Sequence, residues 1–147
     1  MTSERQTPGV VPARDRLSLR FARYALGAGF LSAVAARLGL WHGHLSPERF
    51  AAFVTYTGDV NAFLPRAAIP AVAVAATLAE SVLGIALLCG VLPRLTGLAS
   101  AALLLAFGTA MAISYGVKEP LDYSVFAAAG AALLVAIHPA HDRRPAT

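Results

Sequence analysis

Charge is scarce in this chain. Only 14% of its 147 residues are charged, against about 25% in an ordinary soluble domain. Hydrophobic residues make up 57% and mean hydropathy is +0.63, a composition that excludes a disordered polar chain and points to a membrane protein of one domain. There is a single cysteine, Cys89, so an intrachain disulfide and C-x-x-C dithiol chemistry are excluded. Lying in an apolar segment, Cys89 reads as a small buried apolar residue. No nucleotide-binding glycine loop, nucleophile elbow or zinc spacing occurs. His42-Gly43-His44 lacks a nearby cysteine or a third ligand, so no metal is assigned. A b-type haem would want histidines in facing spans. His138 stands near the end of one apolar run and none is central in the others.

The net charge of +4 and pI near 9.8 raise nucleic-acid binding as a function class. The basic residues instead sit at the ends of apolar runs and form no patch with interleaved aromatics, which excludes it. Four such runs are present, at about 22–41, 67–90, 95–116 and 122–139. Each is long enough for a bilayer core about 30 Å thick at about 1.5 Å per residue. Leucine, alanine and valine dominate them without the polar face of a soluble amphipathic helix. The expected fold is all-α: a membrane four-helix bundle with an interfacial or re-entrant helix between spans one and two.

Basic residues set the orientation. Arg5, Arg14, Arg16 and Arg20 precede span one and Arg23 stands at its start, Arg94 joins spans two and three, and Arg143 and Arg144 follow span four. With four spans these fall on one side, and only Arg49, Arg66 and Lys118 fall on the other. Both termini are therefore expected in the cytoplasm, with a basic tail over 1–19, a membrane domain over 20–140 and a second tail over 141–147. A cleaved signal peptide is the rival for the N-terminus, since basic residues precede an apolar stretch ending in Ala33-Val34-Ala35; the long tail and the apolar residues after Arg37 favour a retained span.

Connections carry their own signals. Gly90 and Pro93 mark a tight hairpin between spans two and three. Ser46-Pro47-Glu48 is a helix start, with a serine cap, proline at the first position and an acid in the first turn. Phe50, Phe53, Val54 and Val60 give the following helix an apolar face, with a break expected at Gly58. Small residues four apart (Ala25, Gly29, Ala33; Ala71, Ala75, Ala79; Ala128, Ala132, Ala136) suit close helix approach in lipid.

Glu80 is the only charge between Arg66 and Arg94. A carboxylate in the middle of an apolar run costs about 2.5 kcal/mol or more if ionised and unpaired, so it must be neutralised, paired or used. Arg37, in span one, is its natural partner: both lie well inside their spans, within about 10 Å in depth at the helical rise. Two readings stand open. The pair fixes helix register, or it forms a polar site inside the bundle for a proton or a quinone-like head group. Asp59, Asn61, Lys118, Asp122 and Tyr123 are expected at the outer mouth, where they either line a polar vestibule above Glu80 or are ordinary solvated turn residues, and Tyr56 is either a vestibule donor or an interface anchor. Trp41 and Tyr115 sit at span ends as interface anchors.

Several segments together resemble the DoxX family. They are Leu26-Gly27, Phe30 and Arg37 in span one; Tyr56-Thr57-Gly58-Asp59-Val60-Asn61 with Phe63-Leu64-Pro65; Ala79-Glu80 with Gly84, Leu87 and Gly90; Leu92 and Arg94; and Asp122-Tyr123-Ser124 within Lys118 to Ser124. The resemblance covers about Arg20 to Ile137. It implies a multi-pass protein of the inner (plasma) membrane and quinone-linked redox work, as an accessory subunit of a membrane oxidoreductase or redox-stress complex. The implied partners are the lipid bilayer and a membrane protein or second copy of the chain, and the implied cofactor is a quinone. Without redox cysteines or haem ligation, no autonomous catalytic motif is present. A small transporter using Glu80 and a purely structural assembly subunit are the alternatives from the residues.

Overall fold

The computed structural model describes residues 13–138. The tails that hold Arg5, Arg143 and Arg144 lie outside the described residues, as do the last positions expected in span four. Within them the chain is all-helical: α1 (Ala13–Leu38), a 3-10 turn (Leu40–His42), α2 (Pro47–Val60), a 3-10 turn (Arg66–Ala68), α3 (Ile69–Cys89), α4 (Pro93–Tyr115), α5 (Lys118–Asp122) and α6 (Val125–Ile137). Two helices are long and apolar enough to cross a membrane, Arg66–Cys89 and Pro93–Tyr115. α1 has the length but carries Asp15, Arg16, Arg20, Arg23 and Arg37. α6 is strongly apolar but has only 13 residues.

The helix ends follow local chemistry. α1 stops because Gly39 turns left-handed, with φ 82. A side chain there would also collide, its Cβ falling 2.8 Å from the His44 carbonyl oxygen and 2.9 Å from Ser46 Cβ. The chain folds straight back, and Ser46 N–H donates to the Leu38 carbonyl at 2.9 Å. Ser46 then caps α2, its Oγ accepting from Arg49 N–H at 3.4 Å, with Pro47 next and Glu48 in the first turn. That is the start expected from the sequence. The expected break at Gly58 is absent: α2 runs on to Val60. Gly58 packs beside Ile69 of α3, where an added Cβ would make an ordinary contact at 3.5 Å. α3 ends at Gly90 (φ 70), where Val91 N–H reaches the Ala86 carbonyl at 3.0 Å and Gly90 N–H the Leu87 carbonyl at 3.3 Å. This paired arrangement satisfies carbonyls the helix end would orphan. Cys89, expected buried, is exposed one residue before that end.

The fourth apolar run is not one helix from 122 to 139. α5 ends at Asp122, and Ser124 adopts φ 55 before α6 starts at Val125. A non-glycine residue there is uncommon and costs roughly 1–2 kcal/mol, which packing on both sides must offset.

The long helices touch in the order α1, α3, α4, α6 and back to α1, with α1 against α3 and α4 against α6 the closest pairs. Small residues permit this approach. A Cβ on Gly84 would lie 2.9 Å from Leu31 Cγ and 3.2 Å from the Gly27 carbonyl oxygen, and one on Gly97 would lie 2.8 Å from Ala136 N. Of the small-residue stripes read from the sequence, Ala132 and Ala136 are fully buried here. Ala25, Gly29, Ala71 and Ala75 face outward, because the buried face of α3 is Ile69, Ala73, Thr77, Glu80, Gly84 and Leu87. Phe30, Leu87 and Val135 form one apolar cluster, and Val60, Ala110 and Met111 another, beneath α2. Leu78, Val82 and Ile85 on α3, and Leu95, Leu98, Leu105 and Ile113 on α4, are exposed.

Candidate functional site

Close approach of α1 and α3 brings the last turn of α1 beside the middle of α3. Arg37 Nη1 donates to Glu80 Oε2 at 2.5 Å and Nη2 to Oε1 at 2.9 Å. The two parallel bonds are the fork geometry of a strong arginine–carboxylate pair. Glu80 is 3% exposed and the Arg37 side chain 16%. The flanking hydroxyls turn away from it: Thr77 Oγ1 donates to the Ala73 carbonyl at 2.9 Å and Ser81 Oγ to the Thr77 carbonyl at 2.7 Å. Arg37 alone therefore supplies the carboxylate's side-chain hydrogen bonds among the described residues. α2 closes the other side, with Phe53 stacked so that Arg37 Cζ lies 3.9 Å from its ring centre. The guanidinium is held at its edge by a carboxylate and on its face by a ring.

Arg37 forms part of the wall of a cavity of about 470 Å³, inside the range of about 300–1,000 Å³ typical of small-molecule sites. One face of α2 contributes Phe53, Tyr56, Thr57 and Val60, spaced by one helical turn. Leu104, Phe107 and Met111 of α4 add an apolar side, and Asn61 and Tyr123 add polar groups at the rim. Burial first, then Tyr115, Tyr123 and Glu119, push the Tyr56 hydroxyl above tyrosine's usual value near 10, against a smaller opposite pull from Arg37. Tyr56 thus stays a neutral hydrogen-bond donor at physiological pH. Asn61 is oriented by its Nδ2 donating to the Thr57 carbonyl at 2.9 Å. Ser114 Oγ on α4 donates to the Val60 carbonyl at 2.5 Å, tying the end of α2 over the cavity.

The residues expected to line one vestibule are divided by the structure. Arg37, Tyr56, Asn61 and Tyr123 share the cavity. Glu80 stands behind Arg37 and not on the wall. Asp59 points from the opposite face of α2 into a second cleft, with Arg66 and Tyr115. Asp122 pairs with Lys118 one turn away on the exposed α5. Val54, expected on one apolar face with Phe53 and Val60, lines the second cleft, while those two line the first cavity. Sequence reasoning missed the stacking role of Phe53 and the α4 wall; the spacing of Phe53, Tyr56, Thr57 and Val60 was the available signal for the first. Trp41 Nε1 donates to the Ser32 carbonyl at 3.2 Å, and Arg49 Nη2 lies 3.0 Å from His42 Nε2. No group of three metal-ligating side chains occurs among the described residues.

The fold and site define an all-helical protein in which a two-point ion pair backs an apolar cavity with tyrosine and asparagine at its rim. In comparisons with known proteins, no family model, curated protein or solved structure matches the chain.

Proposed function

We propose that this chain is a DoxX-like, four-span protein of the inner membrane with both termini in the cytoplasm, an interfacial α2, and a cavity that binds a quinone-type molecule as an accessory subunit of a membrane oxidoreductase. The closed order of α1, α3, α4 and α6 supports a four-helix bundle. So do α3 and α4, of whose apolar spans about a third or less is buried within the chain; the apolar faces left outward require an apolar surround. α1 and the α5–α6 pair supply the remaining crossings, the short α6 lengthened by the turn before it.

One observation carries the ligand assignment: the Arg37–Glu80 pair stands at an otherwise apolar cavity whose rim bears Tyr56, Asn61 and Tyr123. The pair is neutral as a unit, so it suits an uncharged ligand. Arginine and tyrosine donors match carbonyl oxygens, and Leu104, Phe107 and Met111 match a ring or tail. The chain's part in redox work is then to hold the quinone; electrons come from a partner. The test is equilibrium binding of decyl-benzoquinone to the protein in lipid nanodiscs. Saturable binding weakened by Tyr56→Phe and Tyr123→Phe is the expected result; a folded protein that binds none would falsify the assignment.

A second reading has its own support. Glu80 is withdrawn from the cavity wall with both oxygens engaged by Arg37, which favours a clamp holding α1 against α3. Single Arg37→Met and Glu80→Met variants that lose stability, with quinone binding unchanged in the double variant, favour this reading.

A further inference from the structure

The two faces of α2 look into different spaces. Phe53, Tyr56, Thr57 and Val60 face the first cavity, whereas Val54, Thr55, Gly58, Asp59 and Ala62 border a separate cleft of about 760 Å³ against the start of α3. Arg66, Ile69 and Pro70 form its far side, and Tyr115 stands at one end. Asp59 and Arg66 are the two charged residues of the cleft. Neither has an ion-pair or hydrogen-bond partner through its side chain among the described residues. They line one space with opposite charges yet do not satisfy each other. Asp59 lies in the last turn of α2 and Arg66 opens the turn leading into α3, so the backbone polarity of the helix ends runs in the same sense as the side chains.

The position of the cleft narrows the occupant. Arg66 begins one of the two helices long and apolar enough to cross a membrane, and Tyr115 ends the other. The cleft therefore lies where apolar helix surface gives way to polar loops, the level of lipid head groups and of anchoring tyrosines. Most of its remaining wall is apolar, with Val54, Leu64, Ile69 and Pro70, and the Thr55 hydroxyl there is engaged by the Ala51 carbonyl at 3.2 Å. We propose that this cleft binds a phospholipid with an ethanolamine head group, the phosphate at Arg66, the ammonium at Asp59 and the upper acyl chain along the apolar wall. A primary ammonium donates hydrogen bonds to a carboxylate. A choline head group would need an aromatic cage, and Tyr115 is the one aromatic residue in the cleft. A glycerol head group offers Asp59 hydroxyl donors but no positive charge, so the stronger charge-assisted contact is missing. The proposal does not depend on the quinone assignment, because α2 separates the two spaces.

The test uses the full chain, delipidated in mild detergent and supplied with an equal mixture of dioleoyl phosphatidylethanolamine, phosphatidylcholine and phosphatidylglycerol. Retained lipid is read by native mass spectrometry. The ethanolamine lipid should be retained roughly two- to fivefold over the other two, the scale of the one exposed ion pair, at Asp59, that distinguishes them. Asp59→Asn should remove its advantage over the glycerol lipid, and Arg66→Gln should lower retention of all three. Asp59→Lys, a second variant at the same exposed position, should turn the preference toward phosphatidylglycerol. Equal retention of the three lipids by the unaltered chain overturns the proposal, as does an ethanolamine preference that survives Asp59→Asn. Displacement of the lipid by equimolar soluble phosphoethanolamine also overturns it, because recognition would then belong to a free solute.

Discussion

Arg37 and Glu80 are two residues whose charges make sense only together. Removing one partner of a buried pair leaves the other unsatisfied, at a cost of about 3–5 kcal/mol. Glu80→Met and Arg37→Met should each lower the melting temperature sharply in detergent, and the double Met variant should recover much of the loss. Additive losses in that cycle would show that the two do not act as a unit. Glu48 gives a milder effect with a defined sign. Its own backbone N–H, then the Ser46 hydroxyl, hold its carboxyl below the ordinary value of 4.5. A depressed carboxyl stabilises the fold above its unfolded value and ceases to do so as pH falls through the folded one. The drop in melting temperature between pH 6 and pH 3.5 should therefore be smaller in Glu48→Gln. At this scale the sequence was most legible where a charge stood deep in an apolar run: Glu80 needed a partner or a use, Arg37 was its natural partner, and the structure joins them. Asp59 and Asp122 were less legible, because a small angle around a helix decides which side of it a residue serves. The stacking of Phe53 on Arg37 depends on how α2 lies across α1, and no local pattern encodes that.

Helix starts and stops were read well where backbone chemistry is strict. Ser46-Pro47-Glu48 opens α2, Gly90 closes α3 and Pro93 opens α4, as their capping properties require. The left-handed Ser124 that divides the last apolar run was not legible, since serine carries no preference for that geometry. The packing of α4 on α6 turns on Gly97, where a Cβ would fall 2.9 Å from both the Ala132 carbonyl oxygen and Ala136 Cβ. Gly97→Leu should force these helices apart at a cost of about 1–3 kcal/mol. The check is loss of thermal stability, with Gly130→Leu, where an added Cβ meets open space, as the tolerated control. Ser114→Ala removes the bond from α4 to the Val60 carbonyl. It should make α2 more open to limited proteolysis near Asn61 while leaving the helical content by circular dichroism unchanged.

The whole molecule shows more apolar surface than its interior uses, and Leu78, Val82 and Ile85 make a continuous outward row on α3. Reporters fused to the two termini should both be active on the cytoplasmic side if four crossings are made; opposite sides would demand an odd number. The composition announced this surplus from the start, since only 14% of the residues are charged. The assembly of the cavity was not announced, since its wall takes residues from α1, α2, α3 and α4 that lie far apart in the chain.

The position of α2 has a mechanical consequence. It is a common partition, with one chamber on each side and Ser114 as a tether at its end. Any displacement of the partition enlarges one chamber as it narrows the other. Occupants of the two chambers that prefer different settings of α2 would then oppose each other by equal free energies in both directions, and a ligand on one side would be detectable as a changed affinity on the other.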